Sequence, residues 1–135
     1  MSEGARTGLA GHSDADVLTH AVIDALLGAA GLGDIGEHFP DTDERWRDAN
    51  SLDLLRAVVG QLGAAGYKPA NIDATLACEE PKLAPFRDEM RTRIAEAAGL
   101  DRGAVNVKFT TGERLGFVGR GEGIAALAIA TVAEA

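Results

Sequence analysis

Basic residues are scarce in this chain: 13 Lys and Arg stand against 21 Asp and Glu, for a net charge of −8. That balance excludes a basic footprint for nucleic acid. The surface as a whole repels phosphate, so a phosphorylated ligand must be held by a few local cations, backbone amides or a metal. There is one cysteine, Cys78, which excludes an intrachain disulfide and a cysteine zinc cluster. No apolar run approaches the roughly 20 residues that span a bilayer. Met1 to Gly11 lack a basic start followed by an apolar stretch. The expectation is a cytoplasmic protein without a membrane partner. No internal repeat and no low-complexity segment interrupts the chain.

What is present suits one domain. The 135 residues are 46% apolar and 25% charged, and a chain near this size buries roughly two-thirds of its unfolded surface. The whole of 1–135 is expected to fold as one unit. Ser2 to Gly11 is small and polar and reads as a loop or linker. A largely buried helix is expected over about Asp14 to Leu32, capped by Ser13 or Asp14. Gly33 to Asp43 is dense in turn residues and reads as an irregular loop. Asn50 or Ser51 starts a second helix, with Gly66 as its stop.

Strand signals begin after Pro69. Ile72, Ala74, Leu76 and Cys78 alternate with Asp73, Thr75 and Ala77. A third helix is expected from about Pro85 to Ala98, ended by Gly99. Val105 to Thr110 is a second alternating strand. Thr111 to Gly123 is rich in glycine, and Ile124 to Val132 is apolar and ambiguous between strand and helix. The pattern predicts an α+β fold, a small mixed sheet with helices packed on one face.

Four groups of residues could carry chemistry. Asp16, His20 and Asp24 are spaced i, i+4, i+8 and share one helix face. A histidine can bind a divalent metal while a carboxylate orients it, and His12 and Ser13 stand at the helix entry. The plainer reading is a solvated polar face, since one histidine does not make a metal site. Asp34, Asp41 and Asp43 could bind hydroxyls or a hard cation, or could simply be turn residues. His38 reads as structural or exposed. Glu79-Glu80-Pro81-Lys82 and Lys108-Phe109-Thr110-Thr111-Gly112-Glu113 each follow a strand, where ligands often bind; each is also an ordinary charged turn. Leu115 to Gly123 has glycines and Arg120, but matches neither a Walker loop nor a dinucleotide fingerprint. No nucleophile elbow is present.

Taken in order, several blocks resemble the 2-C-methyl-D-erythritol 2,4-cyclodiphosphate synthase family of the non-mevalonate isoprenoid pathway. They are Ala10-Gly11-His12-Ser13-Asp14-Ala15-Asp16-Val17 with His20, and Asp24-Ala25-Leu26-Leu27-Gly28. Gly33-Asp34-Ile35-Gly36, Phe39-Pro40-Asp41-Thr42-Asp43, Pro81-Lys82 and Asn106-Val107-Lys108 follow. Leu115-Gly116-Phe117 and Gly119-Arg120-Gly121-Glu122-Gly123 complete the set. The resemblance runs from Gly8 onward. It implies a lyase that cyclises a cytidine diphosphate substrate and releases CMP, with divalent metals: Zn²⁺ (or Mn²⁺) and Mg²⁺. It also implies a homotrimer with sites between subunits and sheets lining a cavity on the threefold axis.

The resemblance assigns roles by position. His20 would ligate zinc, and Glu113 magnesium. Asp16, with His12 and Ser13 on a loop, would position substrate, and Thr111 would act with them. Asp34, Ile35, Gly36, Phe39, Asp41 and Asp43 would surround the methylerythritol. Cys78, Lys82, Leu83, Ala84, Phe109, Thr110 and Thr111 would form the cytidine nucleotide pocket, the first four partly through backbone groups. Phe117 and Arg120 would face the axial cavity, where the family can hold an isoprenoid diphosphate. The resemblance assigns Asp24 no role; its helical spacing from His20 suggests support of the metal site. Three departures stand out: Phe109 replaces a small residue, Gly112 replaces a threonine, and the family's Asp-x-His zinc ligands are absent from these 135 residues. Two early strands of the family are therefore expected to be missing. The alternatives are a truncated, noncatalytic relative that trimerises and binds cytidine nucleotide or isoprenoid diphosphate, and an unrelated acidic helix–sheet binding module.

Overall fold

The structure is a computed structural model. It describes residues 3–40, 50–78, 84–111 and 124–135, with side chains from Ala15 onward. The elements are α1 (Glu3–Ala29), α2 (Ile35–His38), α3 (Ser51–Ala64), β1 (Tyr67–Ala77), α4 (Arg87–Ala98), β2 (Val105–Thr110) and β3 (Ala125–Glu134). Single 3₁₀ turns at Ala84–Phe86 and Arg102–Ala104 lead into α4 and β2.

Helix α1 buries a stripe. Leu18, Val22, Ile23, Leu26 and Leu27 are fully buried, while His20, Asp24 and Gly28 are exposed on the opposite side. Gly31 ends it with φ +71°. The Leu32 N–H reaches Leu27 O at 2.8 Å and the Gly31 N–H reaches Gly28 O at 3.1 Å. This is a Schellman stop, which needs a residue that tolerates the left-handed region. Helix α4 stops the same way at Gly99. Helix α3 starts on Asn50, whose side chain accepts the Asp53 N–H at 3.0 Å, so both expected boundaries of that helix hold.

The sheet has strand order β2-β1-β3. Strand β1 runs parallel to β2 and antiparallel to β3. Helix α1 lies against β3, α4 against β2, and α3 against β1 between them. All three cover one face. Ile72, Ala74 and Leu76 of β1 are fully buried there with Val105 and Val107 of β2. The expected mixed sheet with helices on one face is the observed architecture.

Among the described residues, no element covers the other face. Asp73 sits between Asn106 and Ile129, and Thr75 between Lys108 and Leu127. Leu127 and Ile129 are 76% and 72% exposed. Lys108 Nζ lies 3.0 Å from Asp73 Oδ2, and Asn106 Nδ2 lies 3.4 Å from Oδ1. The bond from Lys108 is the main reason that the Asp73 carboxyl is held below its ordinary value of 3.8. Among the described residues no helix is long and apolar enough to cross a membrane.

Four expectations change. The stretch read as an N-terminal loop is helical from Glu3. Extending a formed helix needs no new nucleus, and Glu3, Ala5, Arg6, Leu9 and Ala10 are good helix formers. Ser13 and Asp14 are therefore internal to α1 and not at its start, and the loop expected to carry His12 and Ser13 is part of that helix. The loop after Gly33 contains the short helix α2. Strand β1 starts at Tyr67, before Pro69; its pairing with β3 is irregular between Pro69 and Asn71, where a residue without an N–H fits. Pro85 lies in a 3₁₀ turn, and α4 begins two residues later. The ambiguous segment after Ile124 is strand β3.

Candidate functional site

The polar face of α1 anchors two neighbouring segments. Asp16 Oδ1 accepts the Ser51 hydroxyl at 2.5 Å. Ser51 is buried at the first turn of α3, and a hydrogen bond to a charged group contributes about 1.5–3 kcal/mol. Two turns further along, Asp24 Oδ1 accepts the Ile35 N–H at 2.7 Å. Between these carboxylates stands His20, exposed. The i, i+4, i+8 spacing thus places one imidazole between two anchoring carboxylates. Asp24, expected to support the metal site, makes a backbone contact with the Asp34 turn.

That turn is built from local bonds. Asp34 caps α2, its Oδ1 accepting the Glu37 N–H at 2.9 Å. Gly33 has φ +91°, a backbone conformation that disfavours any side chain there. His38 Nε2 lies 2.6 Å from Leu32 O, to which it donates as the Nε2–H tautomer. This is the structural role read for His38. The Phe39 N–H closes onto Ile35 O at 2.9 Å, and its ring is buried in the core. Ile35 is half-buried, while Asp34 and Gly36 are exposed. Phe39 is thus an anchor of the turn, and Asp34 and Gly36 are its accessible part.

Of the expected nucleotide residues, Cys78, Phe109, Thr110 and Thr111 lie at the carboxyl ends of the parallel strands β1 and β2, where Ala77 pairs with Thr110. The Cys78 N–H donates to Thr110 O at 3.0 Å, and the cysteine is buried. Its amide is therefore spent on the sheet, not open to a ligand. Thr110, Thr111 and Ala84 are exposed. Phe109 has the same parity as Val105 and Val107 and packs half-buried against the core. The Arg87 guanidinium lies over its ring, 5.2 Å from the centroid. The large side chain thus points toward α4, on the opposite side of β2 from Thr110.

A cavity of about 330 Å³ lies between α1, α3 and α4. Its floor is largely apolar, with Phe86, Met90 and Ile94 of the α4 region and Leu52 of α3; Asp16, Ser51 and the Glu89–Arg93 ion pair supply polar edges. Sequence reasoning named Asp16 but missed Ser51 and this wall of α4. Ser51 carried a signal only as a helix start, and its contact lies 35 residues away in the chain.

Asp41, Asp43, Lys82, Leu83, Glu113, Phe117 and Arg120 lie outside the described residues, as do the side chains of His12 and Ser13. Among the described residues no group of three or more His, Cys, Asp and Glu could hold a metal ion. Those residues do not by themselves fit a zinc centre, because His20 is a single ligand and three or four are needed.

Comparison with known proteins places these features. Residues 3–133 match the model of the YgbB family. The chain is 63% identical over 128 residues to the 2-C-methyl-D-erythritol 2,4-cyclodiphosphate synthase of Salinibacter ruber, covering 95% of this chain and 82% of that protein. It is 62% identical over 123 residues to the bifunctional enzyme IspD/IspF of an Anaeromyxobacter species, covering 91% of this chain and 32% of that larger protein. The structure of IspF from Plasmodium falciparum in complex with CDP superposes with a TM-score of 0.76 at 27% identity, over 88% of this chain and 71% of that one. A family match over nearly the whole chain, with a relative this similar over most of its length, means that the chain belongs to the YgbB family.

Proposed function

We propose that this chain cyclises 4-diphosphocytidyl-2-C-methyl-D-erythritol 2-phosphate to 2-C-methyl-D-erythritol 2,4-cyclodiphosphate with release of CMP. The observation that carries the reading is the 63% identity, over 128 residues, to a synthase of that name. An oxygen of the 2-phosphate attacks the β-phosphorus, and the bond from that phosphorus to the oxygen bridging to the α-phosphorus breaks. CMP leaves with that oxygen. No water enters, and no protein nucleophile is needed.

The protein's task is then orientation and charge. Holding the two reacting groups of one substrate in attack geometry can supply roughly 7–11 kcal/mol of the barrier. Asp34 and Gly36, exposed on their capped turn, are assigned to the methylerythritol hydroxyls, with Asp41 and Asp43 beyond them. Asp16, His12 and Ser13 are assigned to the 2-phosphate side. Thr110, Thr111, Ala84, Lys82 and Leu83 are assigned to the cytidine diphosphate, where hydroxyls and backbone groups can stabilise a leaving phosphate. A divalent cation would neutralise the crowded phosphates. His20 is the ligand that α1 would offer to a zinc-like ion, and Glu113 the one that would hold magnesium.

The functional form is a homotrimer. Its support is the resemblance to the family, together with Leu127 and Ile129, two large apolar side chains exposed side by side on one sheet face. Phe117 and Arg120 are assigned to the axial cavity. The cytoplasm is its proposed location. The test is direct: purified chain incubated with the cytidylated substrate, Mg²⁺ and Zn²⁺ should release CMP, and no release at high enzyme concentration sinks the proposal.

A further inference from the structure

Asp24 is exposed on α1, one helical turn past His20. Its carboxylate makes the bond that joins two parts of the site. Oδ1 accepts the Ile35 N–H at 2.7 Å. Ile35 opens α2, which has only four residues, so its N–H has no partner within the helix. A helix this short does not hold its own place in water.

The remaining bonds of the turn are local. Asp34 caps Glu37, Phe39 closes on Ile35, and His38 bonds back to Leu32. They set the shape of the turn. The bond from Ile35 to Asp24 connects it to the face of α1 carrying His20. Asp34 uses Oδ1 for its cap, which leaves Oδ2 to meet a ligand hydroxyl in a direction set by the turn.

We infer that Asp24 is a positioning residue for the methylerythritol end of the substrate: it holds the Asp34–Gly36 turn in register with His20 on the helix below. The inference rests on the proposed cyclase reading. What matters is the acceptor oxygen at this place, so asparagine, which retains Oδ1, preserves the effect and alanine removes it. A small exposed bond of this kind contributes little to global stability. Its loss lets the turn shift, and that weakens the grip on the methylerythritol hydroxyls without touching the nucleotide residues at the far strand ends.

The experiment compares the full chain with Asp24→Asn and Asp24→Ala. Three readouts are taken: steady-state CMP release against substrate concentration, the dissociation constant for CMP, and hydrogen exchange at the Ile35 amide. In D24A the KM rises about tenfold, the effect of losing one ordering hydrogen bond. Affinity for CMP is unchanged and Ile35 exchanges faster. In D24N all three stay within about twofold of the wild type, as one retained acceptor implies. An unchanged KM in D24A, an equal loss of CMP affinity, or a D24N chain as impaired as D24A overturns the inference. A wild-type chain that releases no CMP overturns the cyclase reading instead, and the Ile35 exchange then decides by itself whether Asp24 holds the turn.

Discussion

The two faces of the small sheet carry opposite patterns, and β3 shows it best. Toward the helices it presents Ala126, Ala128 and Ala130, small residues over which α1 packs. Toward the open side it presents Leu127 and Ile129, its largest apolar residues, at 76% and 72% exposure. A strand designed only for a two-layer monomer would reverse this, with bulk inside and polar residues outside. The helix face is what folds the chain. The open face, where Asp73, Asn106 and Lys108 stand beside the two apolar residues, is the one that the proposed trimer would use.

Substitutions on the two faces separate these roles. The largest effect is expected in the core: Leu55→Ala, at a fully buried position, should lower unfolding free energy by about 2–5 kcal/mol in denaturant titration. An intermediate result is expected for Leu127→Glu. It should convert a trimer to a monomer in sedimentation, while the unfolding of the separated chain moves within about 0.5 kcal/mol, as for a surface change. Wild-type chain sedimenting as a monomer, or a trimer that survives the substitution, would remove the distinction between the faces.

The smallest effect is expected at Asp73. The hydrogen bond from Lys108 holds its carboxyl below 3.8, so the carboxylate favours the folded state above that value. The contribution is lost as pH falls below it, through the lower folded-state value. Asp73→Asn should therefore reduce stability slightly at neutral pH and flatten its decline on the acid side below about pH 4. A parallel decline in both proteins would mean that the pair contributes nothing, a common result for exposed ion pairs.

The parts legible in the sequence were those with local causes. Asn50, Gly66 and Gly99 mark helix ends by capping and backbone chemistry, and the alternation from Val105 to Thr110 marks β2. The start of α1 was misread because glycines and an internal Ser-Asp pair imitate a boundary, while helix propagation passes through them. The site residues emerged as a set only through the family resemblance. Asp16–Ser51 and Asp24–Ile35 are contacts across 35 and 11 residues, and no spacing rule reports which carboxylate of a polar helix face is already engaged. Phe109 is a similar case: its departure from the family is visible in sequence, but its direction depends on strand parity and on Arg87 above the ring.

The central claim is an intramolecular cyclisation, and the fate of water tests it most directly. The chain is incubated with the cytidylated substrate, Mg²⁺ and Zn²⁺ in ¹⁸O-labelled water, and the products are read by phosphorus NMR and mass spectrometry. The account predicts CMP and the cyclic diphosphate in equal amounts, neither carrying ¹⁸O. Absence of CMP, or phosphate products labelled by water, would contradict it.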